Sequence, residues 1–182
     1  MLEAATLAAG LMVLADDIAL QARETAYARM PLADKIAADS ELLGAIVAKN
    51  KAVESPAEIL RIDQEWQKSP LYPLRKTVTG SPCAARLRRL VQDDKLVVEA
   101  FLMDSRGGIV CSTVETSDYW QGDEAKWQKT YRDGASVFVD EPAFDASTGV
   151  FAVQLSRLVG DAQGKLGALT LTLKIPRSSL GR

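Results

Sequence analysis

Histidine is absent from this chain of 182 residues. Without an imidazole, neither a Ser-His nor a Cys-His catalytic pair can be built, nor any histidine-ligated metal site. Cysteine is nearly absent, and the two that occur, Cys83 and Cys111, are too few for a four-thiolate zinc site or an iron–sulfur cluster. An excess of basic charge is also missing. The 22 Lys and Arg against 24 Asp and Glu leave a formal charge of −2, unlike the basic surface a nucleic-acid binder needs. No long apolar run stands near the N-terminus, where the longest uncharged stretch, Ala4 to Ala15, has twelve residues. A bilayer span takes about 20. Only Glu3 precedes that stretch, so the basic start of a secretory signal is lacking. These absences lead us to expect a soluble, non-catalytic domain with no cofactor, no nucleic-acid partner, and no signal or anchor in the chain as given.

What is present is ordinary for a globular protein: 47% apolar and 25% charged residues, enough for one domain with a proper core. The first half reads as helical. Leu7, Leu11, Leu14, Ile18, Ala22 and Thr25 recur at three- and four-residue spacing, which predicts one long amphipathic helix ending near Met30, before Pro31. Asp39 or Ser40 can cap a helix carrying Leu42, Leu43, Ile46 and Val47. Ser55-Pro56-Ala57-Glu58 combines a capping box with proline in the first turn, opening a helix with Ile59, Ile62 and Trp66 on one side. A loop is expected at Pro70 to Pro73. Ser81-Pro82 then starts a helix with Leu87, Leu90 and Val91 inward and Arg86, Arg88 and Arg89 mostly solvated.

From Leu96 the period changes from 3.6 to 2. Strands are predicted at Leu96 to Asp104, Ile109 to Thr113, Ser136 to Asp140, Val150 to Leu158 and Leu166 to Ile175, with Ser105-Arg106-Gly107-Gly108 as a tight turn. An aromatic segment, Ser117 to Trp127, runs into a short helix ending before Gly134. Helices first and strands second predict an α+β fold with a five-stranded antiparallel sheet. Leu169, Leu171, Leu173 and Ile175 share one face of the last strand; Ala168, Thr170, Thr172 and Lys174 share the other. The apolar face can accept the long helix. The small, polar face is either solvated or the floor of a polar pocket beneath the aromatic segment.

Several motifs carry no chemistry. Gly160 to Lys165 resembles a phosphate loop but has one residue too few between its glycines and lies between strands, so it reads as a hairpin turn. Asp140, Glu141 and Asp145 do not match calcium-loop spacing. Asp123 and Glu124 suit the start of a helix rather than an acid–base pair. Cys83 and Cys111 are compatible with one disulfide, although two separate buried thiols are the reading favoured here.

The residues Phe101-Leu102-Met103-Asp104-Ser105-Arg106-Gly107-Gly108, then Thr116 through Trp127, Val153 to Ser156 and Gly164 to Ala168 resemble the Cache family of extracytoplasmic sensor domains, also described as PDC or PAS-like. The likeness would make residues 1–182 a single module, with a helical part over 1–94, a PAS-like sheet over 95–176 and a ligand-covering segment over 114–134. It implies a periplasmic or extracellular bacterial sensor that binds a small polar metabolite and passes occupancy to a signalling partner or attached receptor module. By the resemblance, Tyr119, Trp120, Lys126 and Trp127 are the ligand-contacting positions. Many amino-acid-binding members place an arginine just before the tryptophan. Here Ala125 and Lys126 stand there, so no amino-acid specificity follows. Tyr119, Trp120 and Trp127 can wall a site, and Lys126 can meet a carboxylate. Asp140 can meet an ammonium group, with Phe138, Gln154 and Ser156 on the sheet beneath. A carboxylate is the favoured ligand over a sugar or base. The chain ends at Arg182 without a membrane helix, as a free-standing protein or an excised receptor domain would. Two alternatives remain: a ligand-free module that dimerises through the N-terminal helix and, more remotely, a hydrolase.

Overall fold

The structure, a computed structural model, describes residues 16–52, 54–145 and 150–176. It begins in helix α1, residues 16–27. Five helices follow: α2 (Met30–Ala37), α3 (Ser40–Lys51), α4 (Pro56–Lys68), α5 (Pro73–Gly80) and α6 (Pro82–Val91). Three of their starts are set by side chains that satisfy free N–H groups. Asp39 accepts from Glu41 and Leu42, Ser55 from Glu58, and Ser81 from Ala84. Prolines sit in the first turn of α2, α4, α5 and α6, where the missing N–H costs nothing.

That proline rule accounts for two departures from expectation. Pro31 does not close the first helix; α1 stops at residue 27 and Pro31 opens α2. The expected loop after Pro70 instead gives way to α5, opened by Pro73.

The strands are β1 (Val97–Met103), β2 (Ile109–Ser112), β3 (Val137–Val139), β4 (Ala143–Asp145), β5 (Val150–Asp161) and β6 (Gly164–Lys174), with a short helix α7 (Ala125–Trp127) between β2 and β3. All pairings are antiparallel, in the order β2-β1-β6-β5-β3. The sheet has six strands rather than the expected five. The extra one, β4, pairs with β5 at Ala152 to Val150, while β3 pairs with it at Arg157 to Leu155. Pro142 lies between β3 and β4 and has no N–H to give the ladder, so the edge strand breaks there and resumes. Gly160 to Lys165 is a hairpin, as expected, with Asp161 opposite Gly164.

The period-2 alternation builds two different faces. On one, Leu102, Val153, Leu155, Leu169, Leu171 and Leu173 are buried beneath Ala22 and Ala26 of α1, Ile36 of α2, Ile46 of α3 and Leu87 of α6. The first helix therefore lies on the apolar face over its described length; Leu7, Leu11 and Leu14 fall outside the described residues. Cys83, in the first turn of α6, is disulfide-bonded to Cys111 on β2, Cα to Cα 5.9 Å. The reading of two separate thiols is thus overturned. Nothing in the sequence spacing brings residues 28 apart together; the packing of α6 beside β2 does.

The opposite face is apolar at its β1 end, where Phe101, Met103 and Ala168 pack with Ile59, Ile62 and Trp66 of α4 and with Tyr119. It turns polar toward β5 and β3. Two cross-strand rows run over it: Phe101, Thr170, Ser156 and Phe138 in one, and Glu99, Thr172, Gln154 and Asp140 in the next.

Candidate functional site

The aromatic segment is tied over this second face by groups that satisfy its backbone. Asp63 of α4 accepts from the N–H groups of both Tyr119 and Trp120, each at 2.9 Å. Tyr119 O accepts from Ile109 N, and Gly107 O from Gln121 N. The Trp66 indole donates to Thr116 O. After α7 the helix widens into a π-helical turn, Gln128–Arg132, in which the buried Thr130 hydroxyl donates to Lys126 O at 2.6 Å. Lys165, from the β5–β6 hairpin, donates to Tyr131 O at 2.6 Å. A cation at a helical C-terminus also suits the dipole there.

The sequence-predicted positions fall into three groups. Trp120 and Trp127 line a cavity of about 390 Å³ between α4 and the β1–β2 turn. Their indole N–H groups are taken by Arg106 O at 2.8 Å and Asp104 O at 3.0 Å, so they offer no polar tip to a ligand. Asp140 and Gln154 line a separate pocket of about 290 Å³ at the open end of the polar face, with Glu99, Glu141, Ala143, Phe144, Ala152 and Thr172. The rest line neither cavity. Tyr119 is fully buried; Ser156 is fully buried with its hydroxyl 2.9 Å from that of Thr170. Lys126 lies over the Phe101 ring, 5.5 Å from its centre, and Phe138 is half-buried on the edge strand beside Ser156. The eight positions are thus divided between these two cavities and the packing beside them.

The pocket around Asp140 is built by the sheet itself. Asp140 N donates to Gln154 O, which fixes the end of β3 on β5. Thr172 donates to Glu99 at 2.9 Å, and Gln154 reaches Thr172 at 3.5 Å. Glu141 N donates to Asp140 Oδ1 at 2.8 Å, and Arg23 of α1 approaches Glu141 at 3.9 Å. Three carboxylates thus border a small cavity with one amide and one hydroxyl. Among the described residues, no three acidic or cysteine side chains gather closely enough to hold a metal ion. The sequence reading missed Glu99 and Glu141. The alternation of β1 could have placed Glu99 beside Thr172, whereas Glu141 needed the break at Pro142.

Beneath Tyr119 lies a second polar group. Its hydroxyl is buried without a hydrogen-bond partner, while Lys49 lies 5.5 Å from its ring centre and pairs with Glu54 at 2.5 Å. Burial raises the Tyr119 pKa above the ordinary 10.0, partly offset by Lys49. Burial alone would lower the Lys49 pKa, but Glu54 and Tyr119 outweigh it and the ammonium is held more firmly. This arrangement anchors the covering segment and contains no activated nucleophile.

No protein-family model matches the chain, and no curated protein matches it. Among solved structures, the chain is similar to the sensor domain of the histidine kinase DctB from V. cholerae, at 14% identity and a TM-score of 0.47, covering 98% of this chain and 59% of that one. It is also similar to the ligand-binding domain of the amino-acid chemoreceptor PctC of Pseudomonas aeruginosa PAO1, solved with GABA, at 18% identity and a TM-score of 0.47, covering 96% and 62%. A third is a domain of a sensory box/GGDEF family protein from Vibrio parahaemolyticus, at 11% identity and a TM-score of 0.48, covering 91% and 60%. The chain spans about three fifths of the length of each of these three. Among the described residues no helix is long and apolar enough to cross a membrane.

Proposed function

We propose that the chain is a single, non-catalytic sensor module that binds a small polar metabolite outside the cytoplasm and passes occupancy to a signalling partner. The observation that carries this reading is the cavity of about 290 Å³ on the polar sheet face, bordered by Asp140, Glu141, Glu99, Gln154 and Thr172. It is small, sits where the covering segment leaves the sheet open, and offers hydrogen-bonding groups from several strands. The disulfide supports an oxidising compartment. Asp140 at the border favours a ligand with an ammonium group over the carboxylate that Lys126 suggested, because Lys126 lies over Phe101 and not beside this cavity. A library of amines, amino acids and carboxylates screened by thermal melting tests the reading. A ligand at 100 times its dissociation constant stabilises the fold by about 2.7 kcal/mol. Amine hits that lose their shift in Asp140→Asn support the proposal. Hits confined to carboxylates, or hits indifferent to Asp140→Asn, contradict it.

A second reading has its own observation. Leu20 and Tyr27 stand seven residues apart on α1 and each is 59% exposed, an apolar seam suited to a copy of the same helix. Sedimentation of the parent and of Leu20→Arg distinguishes a dimer made through this helix from a monomer.

A further inference from the structure

The cavity lined by Trp120 and Trp127 differs in chemistry from the polar pocket and lies on different elements. Its walls are Pro56, Ile59 and Leu60 of α4 and the two indoles, with Arg106 at its margin. Both rings are held in place. The Trp120 indole is wedged against the backbone of Gly122, where even a Cβ would come within 2.4 Å of Nε1. Trp127 stacks on Tyr131 with ring centres 5.2 Å apart and planes 28° apart. Because each indole N–H is already bonded to a carbonyl of the β1–β2 turn, neither ring must surrender a hydrogen bond to receive a ligand. The walls are pre-organised.

The charge at the margin is already paired, although the buried Arg106 Nε–H has no partner. Arg106 donates to Ala52 O at 2.7 Å and Lys49 O at 3.1 Å, and lies 3.4 Å from the buried Asp104 carboxylate. A charged ligand entering these apolar walls would therefore lose water without gaining a free counter-ion. A flat, neutral ring would instead lie against fixed aromatic and aliphatic surface. The volume of about 390 Å³ suits a molecule of one or two fused rings. We propose that this cavity is a second ligand site, for a small neutral aromatic molecule, separate from the polar pocket.

Two of the three tryptophans of the chain line the cavity, so intrinsic fluorescence reports occupancy. The probe is indole, titrated against the oxidised protein beside its charged counterparts benzoate and benzylamine, with ligand-observed NMR where the emission of the probe overlaps. Leu60 is 46% exposed, and Leu60→Glu places a carboxylate on the rim without opening the core. Leu71→Gln removes an exposed leucine from the turn between α4 and α5, outside the lining of the cavity. The expected result is saturable indole binding, at least about tenfold weaker in Leu60→Glu and unchanged in Leu71→Gln, with both charged probes weaker than indole. Absence of saturable binding, equal affinity for a charged probe, or insensitivity to Leu60→Glu overturns the proposal.

Discussion

Replacing both cysteines with alanine removes the one covalent tie between α6 and β2 among the described residues. The bridge joins residues 28 apart in sequence. In the chain-entropy account, closing a loop of that size lowers the entropy of the unfolded chain enough to contribute about 3.6 kcal/mol to stability. Cys111 is fully buried in the helix-covered core, so the lost sulfur adds a packing cost on the order of 1 kcal/mol. For a chain of this length the entropic part alone corresponds to a fall in Tm of about 7–14 °C. Urea unfolding of the oxidised parent, the reduced parent and Cys83→Ala/Cys111→Ala measures it. Both forms without the bridge should fall, the double variant about 1 kcal/mol further than the reduced parent, with a higher m-value than the oxidised parent because their unfolded chains expose more surface. A double variant within about 1 kcal/mol of the oxidised parent, or two free thiols titrating in the denatured, unreduced parent, would refute the reasoning.

Other expectations follow from single side chains. Arg86 bonds both Asp39 and, at 3.4 Å, Glu41, and its hydrogen bond holds the Asp39 carboxyl below its ordinary pKa of 3.8. The stability this contributes is present at neutral pH and is lost as pH falls below about 4 toward the folded-state value. Urea midpoints between pH 5 and 3 should therefore drop less in Arg86→Gln than in the parent, and parallel profiles would contradict this. At Gly167 a Cβ would stand 2.0 Å from Met103 O, so Gly167→Ala must push β6 from β1. We expect a loss of about 1–3 kcal/mol, and an unchanged melting curve would count against the register.

The elements most legible in the sequence were those whose signal is local. The alternation in Leu169-Leu171-Leu173-Ile175 marked the core face of β6, and Asp39, Ser55 and Ser81 marked helix starts through groups two or three residues away. Proline was read as a breaker at residues 31 and 73, although its other role, in the first turn, was in force at both. The short strand β4 has three residues, too few to show a period, and exists because β5 is long enough to accept two partners on one edge. The disulfide and the anchoring by Asp63 join residues 28 and 56 or more apart; sequence spacing carries no record of such contacts. The aromatic segment was recognised as a cover, but its tryptophans and Asp140 were expected in one pocket. Which way an indole faces depends on the carbonyls it finds, here Arg106 O and Asp104 O, and that is decided by the tertiary fold.

The central claim is that the polar face around Asp140 is a ligand site. It is tested most directly by isothermal titration of the strongest amine hit from the melting screen into the parent and into Asp140→Asn. The account predicts one saturable site in the parent and an affinity at least about tenfold lower in Asp140→Asn, a change of 1.4 kcal/mol or more. Equal affinity in the two proteins, or a hit that binds only as a carboxylate, would contradict it.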